Sequence, residues 1–64
     1  MSALIETTNQ KFGNAPMTLD PEAVEAAEPH PKGTQVHLRS GERLVVGDPY
    51  DTFQAKWLQA LRGE

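Results

Sequence analysis

Three groups of side chains in this sequence have the types and spacing to do chemistry. Gln35, His37 and Arg39 alternate through Thr34-Gln35-Val36-His37-Leu38-Arg39, so a strand sets all three on one face, and Arg43 on a return strand joins them. An amide, an imidazole and two guanidinium groups on one surface form a donor-rich patch of the kind that contacts carboxylates or phosphates. The plainer reading is a solvated sheet face, which carries such residues merely to stay wet. Glu22, Glu25 and Glu28 recur at every third position, which aligns them along a helix. Paired carboxylates can exchange protons or hold a cation, but no nucleophile accompanies them here, and a solvated acidic face accounts for them. Tyr50, Phe53 and Trp57 recur at helical spacing. Such a stripe is ordinarily core, although a Tyr50 or Trp57 ring left partly uncovered makes an anchor for a protein partner.

The motifs of common catalytic sites are missing. The chain has no G-x-x-x-x-G-K-[ST], G-x-G-x-x-G, H-E-x-x-H or G-x-S-x-G, and it has no cysteine for thiol chemistry or disulfides. Two histidines, His30 and His37, do not make a structural zinc site alone, and no cofactor is implied. The formal net charge is −3, from nine acidic and six basic residues. The bases Lys11, Lys32, Arg39, Arg43, Lys56 and Arg62 are spread along the chain. That argues against coating nucleic acid, which takes several clustered phosphate contacts. A local basic face through Lys32, His37, Arg39 and Arg43 is nevertheless available. No stretch approaches the roughly 18 apolar residues of a membrane helix. The opening MSALIETTNQ lacks the basic and apolar regions of a signal peptide, so residence in the cytoplasm is expected.

These residues need elements to position them. Branched side chains at residues 3–8 suit a strand, and Asn9 to Asn14, with Gly13, reads as a turn or flexible loop. Met17-Thr18-Leu19 is a second short strand. Asp20-Pro21-Glu22 is a helix-start signal. The following Val24–Glu28 run fits either a short helix or a strand, and a helical turn feeding a short strand that Pro29 and Pro31 close is the favoured reading. Segments 34–39 and 42–46 form a hairpin about Ser40-Gly41, with Val36, Leu38, Leu44 and Val46 on the inner face. Asp48 as cap and Pro49 at the first position open an amphipathic helix over 48–62, its stripe formed by Tyr50, Phe53, Trp57 and Leu61 and widened by Leu58. The expected architecture is α+β: a small antiparallel sheet of three or four short strands with one C-terminal helix packed on it. It forms a single domain, 1–64, with a strand and loop in 1–14, a β-rich part in 15–47 and the helix in 48–62.

The order strand, loop, strand, Asx-Pro turn, hairpin, capped helix resembles the small flagellar and swarming proteins of the FlbD/SwrD family. The stretches that carry the likeness are Leu19-Asp20-Pro21-Glu22-Ala23-Val24-Glu25-Ala26-Ala27-Glu28 and Gly33 through Val46. The stretch Leu38-Arg39-Ser40-Gly41-Glu42-Arg43-Leu44 is also similar to the last third of the LytTR DNA-binding domain, but Val46-Gly47-Asp48 stands where that domain carries basic residues. The first resemblance implies a non-catalytic accessory protein.

A chain of 64 residues with no disulfide has a small core, and such chains usually need a partner surface. The expected function is therefore non-catalytic binding of a protein partner, together with homodimerisation. The partner would meet Gln35, His37, Arg39 and Arg43 on the sheet or Tyr50 and Trp57 on the helix. The competing readings are a nucleic-acid-binding regulator using the basic sheet face, and a phage-type inhibitor of a host protein.

Overall fold

In the computed structural model, which describes residues 3–63 and Phe12 by its backbone alone, the chain forms five strands and one α-helix. Strand β1 is Ile5–Asn9, β2 Ala15–Leu19, β3 Val24–His30, β4 Gly33–Leu38 and β5 Arg43–Val46, and helix α1 is Tyr50–Leu61. Short 3-10 turns at Gln10–Phe12 and Pro21–Ala23 link β1 to β2 and β2 to β3. Met1, Ser2 and Glu64 lie outside the described residues. All strand pairings are antiparallel, in the order β2-β1-β5-β4-β3. The fold is α+β as expected, with five strands rather than three or four.

The connection between β2 and β3 dictates the shape of the sheet. These strands are its two edges, yet Val24 follows Leu19 by only five positions. Even fully extended, such a link reaches about 17 Å. The edges of a flat five-stranded sheet stand about 19 Å apart. A 3-10 turn shortens the link further. The sheet must therefore curl into a half-barrel, and α1 packs against β1, β3, β4 and the second 3-10 turn to close it.

Alternation along the strands fills the concave side. Ile5, Val24, Val36, Val46, Phe53 and Ala60 are buried, with Met17, Leu19, Ala27, Leu38, Leu44 and Trp57 packed around them. The register Val36↔Leu44 and Thr34↔Val46 sets the inner residues of the hairpin side by side, as the alternation predicts. Its loop is longer than a two-residue turn. Arg39 to Glu42 lie outside the strands, closed by Leu38 N–H to Glu42 O at 2.8 Å, with Gly41 at φ +97°.

Two further expectations are corrected. The Glu22, Glu25 and Glu28 spacing does not form a helix face, because only Pro21–Ala23 turns helically and β3 runs on through Pro29 to His30. Asp20 does cap that turn, accepting from Glu22 N–H at 2.9 Å, and a bulge between Val24 and Ala26 then absorbs Glu25. Asp48 does not cap α1 either. The helix starts at Tyr50 after Pro49, without a side-chain cap, because the Asp48 carboxylate is drawn elsewhere. It accepts from Thr7 Oγ1 and from Lys56 Nζ, each at 2.8 Å. The ammonium of Lys56 also donates to Glu6 O at 2.9 Å, and Thr34 Oγ1 donates to Asp48 O at 2.8 Å. One loop thus ties together β1, β4 and α1, and it satisfies both buried threonines. Burial opposes the charge on Asp48, but the hydrogen bonds from Lys56 and Thr7 and the Lys56 charge outweigh it and hold the carboxyl below its ordinary value.

Candidate binding face

The convex side of β3, β4 and β5 brings together part of the predicted site. Gln35 stands opposite Val45 on β5 and Glu28 on β3, and His37 stands opposite Arg43 and Ala26. His37 Nε2 bonds Glu28 Oε1 at 3.0 Å. Gln35 and His37 are half-buried and Arg43 is exposed. This alternation was legible because β4 and β5 read as a hairpin.

Arg39 is not on that face. β4 ends at Leu38, and Arg39 lies in the turn, where its N–H donates to Ala23 O and its Nε donates to Glu22 O, both at 2.8 Å. It pins the hairpin end to the second 3-10 turn. The two helix residues also lie away from the convex face. Trp57 is half-buried in the closing helix; its Nε1 donates to Pro21 O at 3.0 Å, and its ring is tilted 41° to Phe53 at 6.4 Å. Tyr50, also half-buried, borders a shallow cleft with Pro29, Pro31 and Pro49. Leu58 and Leu61 do not widen the core stripe, being 46% and 48% exposed.

Beside the convex face lies a feature that the local pattern does not reveal. An open cleft of about 380 Å³ has β5 residues Arg43, Leu44 and Val45 along one side, Asn9, Gln10 and Lys11 on another, and His30 and Lys32 of the β3–β4 turn on a third. Lys11, Lys32 and Arg43 are three of the six lysines and arginines of the chain, and no described carboxylate lines the cleft. Its walls are fixed to each other. Gln10 Nε2 donates to Lys32 O at 3.0 Å, bridging the first 3-10 turn to the β3–β4 turn. The amide of Lys32 donates to His30 Nδ1 at 3.1 Å, which leaves Nε2 to carry the proton of the neutral ring. His30, although flanked by two prolines, is half-buried at the end of β3.

The cleft exists because β1 and β5, distant in sequence, meet. Asn9 pairs with Val46, and Gly47 N–H donates to Thr8 O at 3.0 Å. At the same end Gly33, at φ +147°, lets the β3–β4 turn lie against the β5 backbone, since a Cβ there would fall 2.0 Å from Val46 O. Two turns, each with a lysine, were the available signal, but nothing local says that they share an end of the sheet. Chemically, the cleft offers ammonium, guanidinium and imidazole donors to an oxyanion. Among the described residues, no group of histidine and carboxylate side chains could hold a metal ion, and no helix is long and apolar enough to cross a membrane. In comparisons with family models, curated proteins and solved structures, the chain shows no significant match.

Proposed function

We propose that this chain is a non-catalytic, cytoplasmic interaction module that binds a protein partner through the convex face of β3, β4 and β5, in the manner of the small flagellar and swarming proteins its motif order resembles. The observation that carries this reading is the division of labour among its polar side chains. Arg39, Lys56, Asp48, Thr7 and Thr34 are committed to holding elements together, whereas Gln35 and Arg43 stand on the outer face beside the hydrogen-bonded His37 and Glu28. A hydrogen-bonded pair flanked by an exposed guanidinium on β5 can present hydrogen bonds to a partner, and Arg is favoured where binding energy concentrates.

The test is retention of a partner on the tagged protein, compared with a His37→Glu/Arg43→Glu double variant whose fold is checked by circular dichroism. A partner retained by the native protein, rebound after purification and lost with the double variant, is the expected result. A partner that binds both forms equally would remove the convex face from the reading.

We also propose that the chain self-associates, and that it does so through its helix. Leu58 and Leu61 stand exposed on the flank of α1 beside Trp57. Strand addition is the poorer route, because the edge strands β2 and β3 carry Pro16 and Pro29, which have no N–H to donate.

A further inference from the structure

We infer that the cleft between the first 3-10 turn and the β3–β4 turn is an anion-binding cradle that takes a carboxylate-rich segment of a peptide chain; this rests on the reading of the protein as a partner-binding module. Three observations point there. The lining concentrates Lys11, Lys32 and Arg43 and includes no described carboxylate, although acidic residues outnumber basic ones nine to six in the chain. The walls that carry the cations are fixed to each other, because the Gln10–Lys32 bridge and the bond from the Lys32 amide to His30 hold the backbone of the cleft before anything binds. Leu44 and Val45 add apolar surface alongside the cations, which suits a peptide whose acidic side chains are interleaved with apolar ones.

Duplex nucleic acid fits these observations less well. Tight phosphate-backbone binding engages about six to ten contacts. Of the other cations, Arg39 is tied to Glu22 O, Lys56 to Asp48 and Glu6 O, and Arg62 follows α1 beyond the closing helix. Among the described residues, three cations line one cleft and no basic stripe extends them. Its overall negative charge repels a polyanion at longer range, whereas a short acidic segment meets chiefly the local field of the cleft.

The test is a titration of the isotopically labelled full chain, followed by backbone amide shifts. The probes are a blocked hexaglutamate peptide, a blocked hexalysine peptide and a ten-nucleotide single-stranded DNA. Hexaglutamate should give saturable shifts centred on Gln10, Lys11, Lys32, Arg43 and Val45, and hexalysine should leave these residues unmoved. Raising salt from about 50 to 200 mM should weaken the binding severalfold. A Lys32→Glu/Arg43→Glu variant should lose at least about tenfold in affinity while keeping the native Trp57 emission. If that variant unfolds, the neutral Lys32→Gln and Arg43→Gln variants carry the same comparison.

The inference falls if hexaglutamate shifts no cleft residue, or if the oligonucleotide saturates the same amides more tightly. Its failure differs from failure of the proposed function. A partner that requires His37 and Arg43 but not Lys32, with no hexaglutamate binding, removes the cradle and leaves the module. Hexaglutamate binding in the cleft without any retained partner keeps the cradle and removes the module.

Discussion

At the scale of single residues, Asp48 shows how a side chain that looks like a helix cap can be recruited for a larger task. Its carboxylate takes hydrogen bonds from Thr7 and Lys56 across the β5–α1 loop, and these bonds lower its pKa against the opposing effect of burial. A carboxyl whose pKa is lower folded than unfolded contributes stability above the unfolded value, near 3.8, and loses it as pH falls through the folded one. The native protein should therefore lose part of its stability as pH drops below about 4, and an Asp48→Asn variant should lose less over the same interval. At neutral pH the Asp48→Ala variant should be about 1–2 kcal/mol less stable, because Lys56 and the buried Thr7 lose their acceptor. Urea denaturation across pH 2.5 to 7 measures both effects. Parallel pH profiles for the native and Asn forms would contradict this account.

At the scale of elements, the hairpin and the helix follow from patterns within single segments, and the curl of the sheet follows from one short link. Gly33 is where these meet. It begins β4, and its missing Cβ lets the β3–β4 turn approach the β5 backbone at Val46 and Gly47. A Gly33→Ala substitution combines an unfavourable positive φ with a backbone clash, and it should cost about 3 kcal/mol. Thermal melting should show that loss. Gly41→Ala also has a positive φ, but nothing lies within 4 Å of its would-be Cβ, so it should cost only about 1 kcal/mol. Similar losses at the two sites would mean that backbone conformation alone, and not the approach to β5, sets the requirement at Gly33.

At the scale of the whole molecule, the core is closed by a single helix that buries Phe53 and Ala60 but leaves Leu58 and Leu61 in solvent. Covering those two side chains gives the proposed self-association its driving force, since apolar area removed from water contributes about 25 cal/mol per Å². Sedimentation equilibrium should therefore show a dimer whose dissociation is concentration-dependent, with thermal stability rising with protein concentration. A Leu58→Glu/Leu61→Glu variant should be monomeric and still folded, as neither side chain belongs to the buried core. A native monomer at millimolar concentration would end this reading. The same variant leaves the convex face intact, so partner binding and self-association can be separated.

The limits of the sequence show in particular residues. The alternation from Thr34 to Leu38, the return of Leu44 and Val46, and the spacing of Phe53 and Trp57 are local periodicities, and they determined the hairpin, its inner face and the helix. Gln35, His37 and Arg43 were legible as one face for the same reason. Arg39 was not, since where a strand stops depends on what the chain end meets, here the carbonyls of Glu22 and Ala23. Val24 to His30 shows the same dependence in an element. Alanine and glutamate favour helix over strand, but pairing with β4 and the bulge at Glu25 outweigh that preference. The cationic cleft depended wholly on tertiary structure. Lys11, Lys32 and Arg43 lie in three separate segments, and they converge only because β1 pairs with β5 beside the β3–β4 turn, a long-range contact that no periodicity within a segment encodes.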